Sequence, residues 1–146
     1  MTGWGDDYQA IVDKLQAMAA AVTPPGLTVK GSATTEEGNR PGGFTDFPYV
    51  VIISQKSPVD RIGINEDRFR LAFKILYVTQ SDDISQGFKD LIKLGGALYD
   101  AIAADPKLSG KASYAHVNEW DAGFAPTEKN YTRMYLKVSV MVLAHR

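Results

Sequence analysis

The sequence predicts an α+β fold: a mostly antiparallel sheet of about four to five strands with two helices packed on one of its faces. Three observations carry that prediction. Two segments repeat apolar residues at helical spacing, while others alternate with period two or run continuously apolar. Their order is helix, short candidate strand, two long strands, helix, two long strands. Helices placed so cannot lie between antiparallel neighbours, so both belong on one side of the sheet.

Tyr8, Ile11, Leu15, Met18 and Val22 form one stripe of a helix spanning roughly residues 6–22. Asp6 and Asp7 stand where an N-cap and a first-turn acid belong, and Pro24-Pro25-Gly26 ends the run. Leu27–Ser32 is a candidate strand. From Gly31 to Asp46 the chain is polar and glycine-rich, which predicts a long projecting loop or hairpin arm at about 31–47. Pro48–Ser54 is continuously apolar and β-branched, the pattern of a strand buried on both faces. A second polar connection follows at 55–67. Phe69, Leu71, Phe73, Ile75 and Tyr77 then alternate with a face that starts basic, so Arg68, Arg70 and Lys74 leave the sheet on one side.

Ser81-Asp82-Asp83 opens the second helix and Asp105-Pro106 closes it. Its stripe is Ile84, Phe88, Leu91, Gly95, Leu98 and Ile102. A glycine at mid-helix costs about 1 kcal/mol relative to Ala, so Gly95 is expected to let the helix approach the sheet closely. Two more strands follow, at about 112–120 and 132–144, joined by a third polar connection at 121–130. In the last strand Met134, Leu136, Val138, Val140 and Val142 share one face. The opposite face begins polar and ends apolar at Met141 and Leu143.

Composition narrows the function classes. The 146 residues are 45% hydrophobic and 23% charged, with a net charge of -1, which excludes a disordered chain and disfavours a strongly basic nucleic-acid binder. The charge alternates: residues 1–27 sum to -2 and 80–110 to -2, while 48–79 and 111–146 each sum to +2. Helices are therefore acidic and strands basic. No run of 18 apolar residues suggests a membrane span, and the acidic start MTGWGDDYQ does not read as a secretory signal. With no cysteine, thiol catalysis and disulfides are excluded. One domain covering residues 1–146 is expected.

Convergent chemistry is not evident. The best acid/base or metal candidates are His116, Asn118, Glu119 and Asp121. Simple alternation puts His116 and Asn118 on one strand face and Glu119 on the other, so a solvated strand face is expected. Asp6-Asp7 and Asp82-Asp83 read as helix-terminal acids. Neither phosphate-loop spacing nor a nucleophile elbow occurs. Trp4, Trp120, Phe124 and Tyr131 can stack on bases but are expected to pack in the core or at an interface. No catalytic, cofactor-binding or metal-binding residue is assigned, and no cofactor is expected.

What the fold alone does not require is the set of three long polar connections and the terminal strand that ends apolar on both faces. Both suit a subunit with several protein contacts. The N-terminal helix with its Pro-rich break, the loop before an apolar strand, the central segment LIKLGGALYDAIAADPKLSGK and the final strand NYTRMYLKVSVMVLAHR together resemble the tail-terminator (tail-completion) proteins of long-tailed bacteriophages. The resemblance covers most of the chain. It implies a virion subunit, assembled in the host cytoplasm, that forms a homo-hexameric ring on the last ring of tail-tube protein. Such a ring stops tube growth and presents a face to the head–tail connector or stopper protein, without catalytic residues. Another connector or tail-tube component is the alternative, and a small-molecule or peptide-binding module the alternative from a different class. The interface candidates are Lys56, Arg61, Arg68 and Arg70, facing an acidic neighbour or DNA passing transiently through the lumen, and Met141 and Leu143, covered by a neighbouring copy.

Overall fold

The computed structural model describes residues 3–24, 26–36, 47–55, 58–63, 66–126 and 132–145. The first helix, α1, runs Trp4–Ala21, one half-turn earlier than the stripe predicted. Gly3 is its N-cap and takes no side-chain hydrogen bond. The amides of Asp6 and Asp7 both donate to the Gly3 carbonyl at 3.1 Å, so the two aspartates sit in the first turn and not at the cap. The early start follows from Trp4, whose indole stacks on Phe69 with ring centroids 3.8 Å apart. Ile11, Val12, Leu15 and Ala19 are buried, and Tyr8 and Met18 flank them.

The second helix, α2, spans Ile84–Ala104, as its caps predicted. Asp83 accepts the Gln86 amide at 3.1 Å. At the other end Asp105 accepts the amide and hydroxyl of Ser109, while its own N–H satisfies helix carbonyls. Gly95 faces Leu136 and Trp120 so closely that a Cβ would overlap both. Gly87, which no sequence pattern singled out, is pressed in the same way against Met134.

Among the described residues the sheet has six strands: β1 Gly31–Glu36, β2 Tyr49–Ser54, β3 Val59–Gly63, β4 Glu66–Ser81, β5 Tyr114–Pro126 and β6 Thr132–His145. Their order is β1-β2-β4-β6-β5, with β3 also on β4; β1–β2 is parallel and every other pair antiparallel. Both helices pack on one face, as expected. That face buries Val50, Ile52, Leu71, Phe73, Ile75, Tyr77 and the odd-numbered neighbours' partners on β6, Met134 to Val142. Tyr77 also donates its hydroxyl to the Ala19 carbonyl at 2.8 Å, tying β4 to the last turn of α1.

All three supposed polar connections hold strand. Gly31–Glu36 is an edge strand, which needs no apolar alternation because only one of its sides is paired. Residues 37–46 of the expected arm lie outside the described residues. Val59–Gly63 forms a hairpin with the start of β4, and it extends the β2–β4 ladder through the bonds Gln55 N–H to Ala72 and Arg70 N–H to Pro58. The first six residues of the 121–130 connection belong to β5, which is far longer than periodicity indicated. Asp121, Ala122 and Gly123 are polar or small, although Ala122 packs on the core and Gly123 lies under Tyr135, so the stretch carries little strand signature.

Candidate functional site

The face of the sheet away from the helices is chemically divided. At one end Tyr49, Val51 and Val78 form a second buried cluster with Phe47, Ile53, Leu76 and Tyr135. Pro48–Ser54 is thus covered on both faces, as its composition predicted. Arg133 sits at the rim of this cluster, its guanidinium 5.3 Å from the Phe47 ring centroid and 3.3 Å from Gln80 Oε1. Burial pushes the Tyr49 phenol up, and the Arg133 charge offsets part of that effect.

The other end is basic. Arg68 and Arg70 project together, as alternation required, and share one carboxylate: Asp60 Oδ2 lies 3.1 Å from Arg70 Nε and 3.7 Å from Arg68. On the other side of the hairpin, the side that Phe69 faces, Arg61 pairs with Asp67 at 3.1 Å. These cations are exposed and held within the β3–β4 hairpin, so part of their charge is already met by their own chain. Lys56 lies outside the described residues. Met141 and Leu143 are half-buried in the same region, Met141 between Ala72 and His116 and Leu143 between Arg70 and Tyr114.

Strand β5 corrects the expected alternation. A register shift between Val117 and Glu119 makes Asn118 an extra residue, so Glu119 pairs with Ser139 and Asp121 with Lys137. His116, Glu119 and Asp121 therefore share the open face, where simple alternation had separated His116 from Glu119. Even so, among the described residues no group of three or more His, Asp or Glu is placed to hold a metal. Trp120 and Phe124 point to the helix side: Trp120 covers Gly95, and Phe124 lies 5.8 Å from Phe88. Trp4 packs on Phe69, and Tyr131 lies outside the described residues.

Large exposed apolar side chains are concentrated. Among the described residues, Ile84, Ile92 and Tyr99 on α2 and Tyr114, Trp120 and Phe124 on β5 line one edge of the molecule, and the other two, Val59 and Ile62, are on β3. An open cleft of about 180 Å³ runs between Tyr99 and Tyr114, floored by Ile102, Ala103 and Pro106. A larger, polar cleft of about 550 Å³ lies between the start of α1 and residues 110–113, where Ser113 Oγ and His145 Nδ1 are 2.7 Å apart. Sequence reading missed the apolar edge. Its signal was Ile92 and Tyr99, seven residues apart and outside the α2 stripe. No described helix is long and apolar enough to cross a membrane.

No family model and no curated protein matches the chain. Among solved structures, it is similar to a chain of the "virion of native gene transfer agent (GTA) particle". The two share 15% identity with a TM-score of 0.37, over 94% of this chain and 92% of that one. At that distance the likeness carries no argument about function.

Proposed function

We propose that the chain is a non-catalytic virion subunit of the tail-terminator type. Copies form a ring, a homo-hexamer in the resemblance the sequence carries, on the end of a phage tail tube. The ring ends tube growth and offers its outer face to the head–tail connector or stopper protein, while DNA passes through the lumen. The observation that supports this reading best is the apolar edge: six large side chains lie exposed along α2 and β5, beside a strand edge that no described residue pairs with. A lone copy leaves such an edge open to strand pairing and apolar association, whereas an assembly covers it. The basic end of the open face, with two arginines on one carboxylate, suits either an acidic neighbour or weak, salt-screened attraction to passing DNA.

Negative-stain images of purified protein test it. Closed rings with a central channel are expected. Monomers at every concentration would overturn the ring and favour a small-molecule or peptide-binding module.

A further inference from the structure

We infer that copies associate head to tail, the β3 end of the β3–β4 hairpin of one copy seating on the α2/β5 edge of the next, at the cleft between Tyr99 and Tyr114. This deepens the ring reading and rests on it. The first argument is topological. Strand β5 pairs only with β6, and β3 pairs only with β4 among the described residues. Arg68 and Phe69 pair with β6 on one side and β3 on the other, so β3 and β5 are open edges on opposite sides of the sheet.

The second argument is the distribution of apolar surface. Among the described residues, all eight large exposed apolar side chains lie on these two edges, Val59 and Ile62 on β3 and the rest on the α2/β5 side. The third is level. Tyr114, Leu143 and Arg70 form one row across β5, β6 and β4, and the row continues to Pro58, the residue before Val59. The two edges therefore stand at the same height in the sheet, and a second copy can bring one against the other by rotation with little rise. A heterologous contact of that kind closes into a ring when the rotation divides a full turn.

Charge separates this arrangement from a two-fold pairing of β5 with β5. Strand β5 carries Glu119 and Asp121 and no Lys or Arg, so a symmetric pairing would set like charges against each other. The β3–β4 hairpin balances Arg61, Arg68 and Arg70 against Asp60, Glu66 and Asp67, so it brings no excess of negative charge to the β5 edge. Among the described residues strand β1 is an open edge too, but none of the exposed large apolar side chains lies on it.

Two variants of the full chain test the inference. Tyr99→Glu with Tyr114→Glu disables the cleft and leaves the hairpin intact; Val59→Asp with Ile62→Asp does the reverse. Each alone is expected to need at least about thirtyfold more protein than wild type to assemble, the usual effect of losing a central apolar anchor. Mixed one to one, they are expected to give dimers and nothing larger in sedimentation velocity, because one intact hairpin meets one intact cleft. Far-ultraviolet circular dichroism and urea midpoints check that each variant is folded; Tyr99→Ser and Ile62→Ser replace any that is not. Rings from either variant alone, or a mixture that stays monomeric, would overturn the inference while wild-type rings leave the ring reading standing. Wild-type assembly retained by the hairpin variant and lost by the cleft variant would show β5–β5 pairing instead. A wild type that never assembles would remove the ring reading, and this inference with it.

Discussion

The two faces of the sheet solve different problems with the same strands. The helix-covered face is uniform: from Ile52 through Phe73, Ile75 and Tyr77 to Val138 and Val140, its side chains are aliphatic or aromatic and fully buried. The open face changes character along its length, from a small apolar cluster around Val51 to arginines at the β3 end. The first face is built for stability, and any close-packed set of the right volume would serve it. The second keeps one end dry and leaves the other for contacts outside the fold. That contrast predicts how substitutions should rank.

The largest effect is expected where the covered face is tightest. Gly95→Leu must displace Leu136 and Trp120, because even a Cβ overlaps them, and should reach the upper part of the ~1–3 kcal/mol typical of overpacking. Gly96 is the control: nothing lies within 4 Å of a Cβ there, so Gly96→Ala should stabilise the helix by about 0.5–1 kcal/mol. Urea melts of the two variants should move in opposite directions. Equal shifts would show that α2 is not held against the sheet at Gly95.

The covered face was also the legible one. Period-two alternation in β4 and β6 and the stripe of α2 name most of its residues, because burial against helices demands apolar side chains at fixed spacing. Edge strands impose no such demand. Gly31–Glu36 reads as a loop because an edge strand half open to water can be polar, and Val59–Gly63 because its two apolar residues, Val59 and Ile62, are three apart and follow no period of two. The bulge at Asn118 was invisible as well, since one inserted residue reverses the alternation without changing composition. For the candidate surfaces, alternation placed Arg68 and Arg70 together, but their shared partner Asp60 depends on the β3 hairpin that the sequence hid. The pairing of Tyr99 with Tyr114 across a cleft needed the three-dimensional fold.

A middle-sized effect tests whether the open face has a core of its own. Val51 is fully buried there. Val51→Ala removes two methyl groups from a packed site and should cost about 1–2 kcal/mol in a urea melt. A change within about 0.5 kcal/mol, the range of ordinary surface substitutions, would mean that the cluster contributes nothing and that the open face is solvent-like along its whole length.

The smallest effect is expected at the basic end, and it sharpens the comparison most. Asp60 is only half-buried and its two arginines are exposed, so water screens all three charges. Exposed ion pairs of this kind are worth about 0.2–1 kcal/mol, and less at high salt. Asp60→Asn should therefore lower the stability of a monomeric subunit by no more than that amount. Its effect on assembly should be larger than its effect on folding, because it releases two guanidiniums from the one carboxylate they share. If Arg68 and Arg70 face an acidic neighbour, rings of Asp60→Asn should form at lower protein concentration than wild type and dissociate more steeply with added salt. If the hairpin lies against other cations, assembly should weaken. Sedimentation of wild type and variant across a salt series reads both outcomes, and identical curves would make this end of the face a solvated surface with no part in assembly.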